Sequence, residues 1–151
     1  MGIPTFDELG LLPVGVWDCT LDEIAGALCW NEHRRTLLAG FTNFLEDIYR
    51  PAALAVPLWI DGSFTRSKLM PEDIDVVIDL GSLEAGSALP EALRWRMRHS
   101  EIKARYHVDL WPRHPDLPRD LAAYFQYVGP KAAAELMLDE KHPKGILRMQ
   151  P

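Results

Sequence analysis

Cysteine, basic charge and long apolar runs are all scarce in this chain of 151 residues. Its two cysteines, Cys19 and Cys29, lack the paired spacing of a zinc or redox motif; one bridge between them stays open, but two thiols in an ordinary chain are more often buried and reduced, which fits a reducing compartment. No apolar stretch approaches the roughly 20 residues that a membrane-spanning helix needs. The opening "MGIPTFDELG" has neither a basic flank nor an apolar core, so no signal peptide is expected and the expected location is the cytoplasm. A net charge of -6 argues against a surface that grips nucleic acid all round. Repeats, low-complexity tracts and linkers are missing too. What remains is a chain 48% hydrophobic, enough for the core of one domain over residues 1–151.

The order of elements indicates an α+β domain. Residues 1–19, rich in turn formers, are expected to lie as an irregular arm. Thr20 and Glu23 form a capping box that starts a short helix over "TLDEIAGALC". Asn31 caps a longer helix, "EHRRTLLAGFTNFLEDIYR", whose Leu37, Leu38, Phe41, Phe44, Leu45 and Ile48 recur at three- and four-residue spacing. "ALAVPLWID" and "DIDVVIDL" read as adjacent strands, with Pro57 marking the first as an edge strand or a bulge. Gly81 to Ser87 reads as a loop. A helix over "LPEALRWRMRHSEIK" follows, with Pro90 in its first turn, and then a strand, "ARYHVDLWP". Two helices, "DLAAYFQYV" and "PKAAAELML", and a last strand or docked coil at "KGILRM" complete a small mixed sheet flanked by helices.

The chemistry concentrates around one loop. In "DIDVVIDL", Ile74, Val76, Ile78 and Leu80 share the core face, while Asp73, Asp75, Val77 and Asp79 share the other. Asp73 and Asp75 then lie roughly 6–7 Å apart along the strand. Carboxylates that close repel unless a cation sits between them, and Mg²⁺ or Mn²⁺ favours such oxygens. Upstream, Gly62 permits a left-handed turn or close backbone approach, Ser63 adds a hydroxyl, and amides at such a turn hold phosphate oxygens. Arg66 and Lys68 add positive charge in the same loop. Singly, a Gly-Ser pair or alternating acids mark no more than a hairpin with a wet face.

Other groups carry blander expectations. Asp79 is expected to be solvated or paired, and Asp61 to cap the loop. The basic segment from Arg94 to Arg105 is either a solvated helix face or a contact for RNA or nucleotide phosphates. His107 shares a strand side with Asp109 and is expected to support it. Cys29 and His33 lie one helical turn apart but lack a second pair for zinc. Lys131 and Lys144 carry charge suited to a triphosphate, without a place assigned by the sequence.

Together, Gly62-Ser63, nine intervening residues and Asp73-Ile74-Asp75 between apolar strands resemble the signature of the polymerase-β-like nucleotidyltransferase superfamily. "GSFTR" is also similar to the opening of the minimal nucleotidyltransferases, although Ser67 stands where that subgroup has a second glycine. The resemblance spans Leu58 to Trp111, about a third of the chain. The start "LGLLPVGVWDCTLDEI" and the end "KGILRM" are similar to a family of uncharacterised bacterial and prophage proteins with this core. The resemblance implies a nucleotidyltransferase fold in which the Gly-Ser turn holds a nucleoside triphosphate. It also implies that Asp73, Asp75 and a third acid, for which Asp109 in "YHVDLW" is the candidate, ligate two catalytic Mg²⁺ or Mn²⁺ ions. The implied activity moves a nucleotide to a hydroxyl of a macromolecular acceptor, a tRNA or other RNA end or a partner protein, as in toxin–antitoxin or phage-defence systems. The alternative is a non-catalytic nucleotide sensor or antitoxin-like protein-binding module on the same fold.

Overall fold

The computed structural model describes residues 2–118 and 124–151. Five strands form one mixed sheet: β1 (Val16–Cys19), β2 (Leu58–Asp61), β3 (Ile74–Asp79), β4 (Val108–Arg113) and β5 (Ile146–Met149). They lie in the order β1-β5-β2-β3-β4. β2 runs antiparallel to both β3 and β5, while β4 is parallel to β3 and β1 is parallel to β5. Five helices complete the described α+β domain: α1 (Leu21–Leu28), α2 (Glu32–Phe44), α3 (Ala85–Met97), α4 (His99–Tyr106) and α5 (Gly129–Leu136).

The helix starts follow their caps. Thr20 accepts from the Glu23 amide and the Glu23 carboxylate accepts from the Thr20 amide, so both halves of the capping box form. The Asn31 side chain accepts from the Arg34 amide at 2.8 Å. α2 buries Leu37, Leu38, Phe41 and Phe44, and runs on through a wider turn over Leu45–Tyr49. These side chains meet Ile74, Val76, Ile78 and Leu80, all 0% exposed, together with Leu58, Ile60, Val108 and Leu110. Each such side chain contributes about 1.5–3 kcal/mol by leaving water. The expected core face of β3 is therefore the observed one. The opposite face is also partly covered, by Trp59, Val77 and Ile146 with Phe125 against them.

Several expectations give way to tertiary structure. Val16–Cys19 is not part of an irregular arm: it pairs with the chain's tail as β1, in register Val16↔Ile146 to Cys19↔Met149. The tail is β5, an inner strand. β2 is neither edge nor bulge but the central strand, because Pro57 lies just before it, where its carbonyl accepts from the Asp79 amide. The long helix around Pro90 is two helices, and the first begins at Ala85 inside the expected loop, leaving Pro90 within it. Of the expected helix over 120–128, residues 120–123 lie outside the described residues, and in the described remainder Tyr127 bridges Pro143. No helix among the described residues is long and apolar enough to cross a membrane.

Candidate functional site

Pairing register builds the site before any side chain is considered. Asp61 of β2 stands opposite Asp75 of β3, and Asp75 stands beside Asp109 of β4. Three neighbouring strands thus place one acid each in a single row across the sheet, on the face away from the helical core. Asp73, two residues before Asp75, projects on the same side. Oxygen atoms of Asp73, Asp75 and Asp109 all lie within 4.8 Å of one another, close enough for one metal ion.

The Gly-Ser turn closes one end of this row. Gly62 opens a short 3₁₀ turn over Gly62–Thr65 with φ at 75°, and a Cβ there would collide with Asp75 Oδ2. Only glycine allows both the left-handed backbone and that approach. The loop after it is held from beneath by Arg34, which is 0% exposed. Its guanidinium donates to the carbonyls of Leu28, Ser63, Phe64, Arg66 and Lys68 at 2.6–3.3 Å. Burial lowers the Arg34 pKa to about 10, so the group stays charged near neutrality. Asn31 and His33 of the same helix start bond the carbonyls of Leu69 and Pro71. The first turn of α2 is therefore the anchor of the loop, and His33 is spent on it rather than on zinc. Cys29 likewise donates to the Arg34 carbonyl.

A cleft of about 350 Å³ opens over the acids, lined by Gly62, Ser63, Arg66, Lys68, Asp73, Asp75 and Asp109. The structure thus brings all seven candidates to one place. The lining also includes Tyr124, Phe125, Tyr127 and the start of α5 at Gly129 and Pro130. Lys131 and Lys144 also reach the cleft. Arg66 and Lys68 are not free cations: Glu135 of α5 accepts from them at 2.5 and 3.3 Å. The Arg66 hydrogen bond is the main reason that the Glu135 carboxyl lies below its ordinary value.

Charge in the cleft is tightly interlocked. Asp75 is pushed up to about 8, first by burial and then by the negative charges of Asp73, Asp61 and Asp109. Asp61 does not cap the loop. It is 2% exposed and forms a buried ion pair with Lys144, and burial raises its carboxyl against the pull of that lysine. Asp79 is paired, as expected, with Arg113 at 2.9 Å and with the Trp59 indole at 3.1 Å.

The support of Asp109 differs from expectation. His107 is the left-handed residue that ends α4, exposed and outside the strand, because the helix runs to Tyr106 and β4 begins only at Val108. His99, at the start of α4, bonds Asp109 Oδ1 at 2.5 Å instead. Lys103, one helical turn on, lies 3.5 Å from Asp109 Oδ2 and 3.4 Å from Asp73 Oδ2. Burial works against the Lys103 charge, and Asp109 and Asp73 outweigh it, so its pKa lies above the ordinary lysine value. The rest of the basic segment is engaged locally: Arg94 with Glu91, Arg98 with Glu101, Arg96 over Trp111 and Arg105 over Tyr106.

Fold and site together define a small α+β protein with a cleft of carboxylates beside a Gly-Ser turn. The chain belongs to the family of unknown function DUF6932, whose model matches residues 4–150. No curated protein and no solved structure matches it.

Proposed function

We propose that the protein is a metal-dependent nucleotidyltransferase that moves a nucleoside monophosphate from a nucleoside triphosphate to a hydroxyl of a macromolecular acceptor. The observation that carries this reading is the meeting of Asp73 and Asp75 with Asp109, an acid from a different strand, against the left-handed Gly62. The resemblance to the polymerase-β-like superfamily, and to its fold, gains support from the same strand arrangement: antiparallel β2–β3 carrying the turn, then parallel β4 after a helical crossing.

Each residue has a role on this reading. The Gly62-Ser63 turn and Lys131 receive triphosphate oxygens. Asp73, Asp75 and Asp109 hold Mg²⁺ or Mn²⁺, which when bound neutralises the charge developing on the transferred phosphoryl group. The acceptor hydroxyl oxygen bonds to the α-phosphorus, the bond from that phosphorus to the oxygen bridging the β-phosphate breaks, and pyrophosphate leaves with the electron pair. Asp109 takes the hydroxyl proton, with His99 keeping its carboxylate turned toward the cleft. Positioning and charge do most of the work in phosphoryl chemistry.

The test is incubation with α-labelled nucleoside triphosphates, Mg²⁺ or Mn²⁺, and either total RNA or the product of a neighbouring gene. Label transfer that disappears in Asp73→Asn and Asp109→Asn is the expected result. No transfer to any acceptor, with nucleotide-dependent thermal stabilisation retained, identifies a nucleotide sensor and ends the enzymatic reading.

A further inference from the structure

The acid cluster already contains a cation. Lys103 Nζ lies within 3.4 Å of Asp73 Oδ2 and 3.5 Å of Asp109 Oδ2, between acids contributed by two different strands. The ammonium reaches this place from α4, where Lys103 and His99 stand one turn apart on one helix face. That face takes both oxygens of Asp109: His99 holds Oδ1 and Lys103 approaches Oδ2. Asp75 is left facing the cleft without a side-chain partner among the described residues.

Charge completes the case. The remaining acid of the row, Asp61, is neutralised by Lys144. With Asp75 in the ionised form that a metal requires, three carboxylates with one ammonium among them leave a demand for two positive charges, which one divalent ion satisfies. A second divalent ion between Asp73 and Asp109 would have to displace the ammonium from the position that it holds. We infer that Lys103 is a standing part of the cation site, its ammonium filling the acceptor-side position between Asp73 and Asp109, so that the cleft takes one divalent ion where two are expected from the superfamily resemblance. This rests on the metal-site reading above. A lysine there keeps positive charge beside Asp109, where the acceptor oxygen loses its proton. It also lets the site be complete at lower metal concentration than a two-ion site.

The experiment counts metal instead of turnover. The whole chain is dialysed to equilibrium against Mn²⁺ with inorganic tripolyphosphate, which supplies the phosphate oxygens without choosing a base. Manganese retained is then measured per chain. One ion is expected for the wild-type protein and for Lys103→Arg, and two for Lys103→Met. The Lys103 side chain is 47% exposed, so the variant is expected to fold, and Lys103→Gln gives a second neutral variant. Two ions in the wild-type protein, or one still in both neutral variants, overturn the inference. No retained manganese in any of them overturns the metal reading with it. One ion in the wild type and two in Lys103→Met, with no label transfer to any acceptor, would leave this inference standing and remove only the enzymatic one.

Discussion

At Gly62 a hydrogen stands where any other residue would drive a carbon into Asp75 Oδ2, and the backbone there has φ at 75°. Gly62→Ala therefore combines a left-handed strain with a direct clash, and is expected to cost about 1–3 kcal/mol in urea unfolding. It should also weaken Mn²⁺ retention, since Asp75 must turn aside. Unchanged stability and unchanged metal uptake would show that the turn tolerates a side chain and that its closeness to Asp75 is incidental. The same residue shows what the sequence made legible. Gly62, Ser63, Asp73 and Asp75 lie within one short stretch whose spacing carries the resemblance to the nucleotidyltransferases, and it is that resemblance that calls for a third acid, for which Asp109, a lone acid in an apolar strand, is the candidate. His99, Lys103 and Lys144 were not legible as partners. Which face of a short helix meets β4, and where a lysine 83 residues beyond Asp61 returns, are decided by packing rather than by local pattern.

Among elements, α2 was the easiest to read and does more than the reading supplied. Its cap and its apolar stripe follow from side-chain chemistry that acts within one or two turns. Its role as anchor of the Gly-Ser loop does not, because it depends on Arg34 reaching loop carbonyls about 30 residues away, such as Phe64 and Arg66. An arginine in a helix is ordinarily a surface residue, and nothing local marks this one as buried. β1 escaped for the related reason that a four-residue strand beside Pro13 and Gly15 acquires its identity only from its partner, β5. His107 was misplaced by a helix that runs three residues past the expected boundary, which shifts the start of alternation. Arg34→Met removes the donors to five backbone carbonyls at once, and is expected to cost about 3–5 kcal/mol in chemical unfolding. Arg34→Lys, which keeps the charge and some of the bonds, should cost less. Limited proteolysis should then cut first within the loop over 66–72. Wild-type stability in Arg34→Met, or first cleavage elsewhere, would remove Arg34 from the anchoring role.

For the whole molecule, the acid row makes stability depend on pH in an unusual direction. Asp75 has a folded-state pKa of about 8 against 3.8 for the free side chain, so between those values the native protein holds a proton that the unfolded chain has released. Stability therefore falls as pH rises through this window, by up to about 1.4 kcal/mol per unit, and levels off above about 8. Asp61, also raised by burial, acts in the same direction. Asp18 and Glu135, held low by Arg148 and Arg66, act in the opposite sense, but their stabilisation is lost only as pH falls below the ordinary carboxylate range. The interval from about pH 5 to 8 is thus governed by the acid row. A divalent cation on Asp75 needs the ionised form and cancels the repulsion that raised its pKa. The gap in melting temperature between Mg²⁺ and chelator should accordingly be wider at about pH 8 than at about pH 6. Asp75→Asn should flatten the metal-free pH dependence, melt above the wild-type protein at the alkaline end without metal, and lose most of the response to Mg²⁺. Metal-free stability that climbs with pH across the interval would mean that the acids are not coupled as their placement requires. An undiminished Mg²⁺ response in Asp75→Asn would place the cation elsewhere in the molecule, away from the row that β2, β3 and β4 assemble.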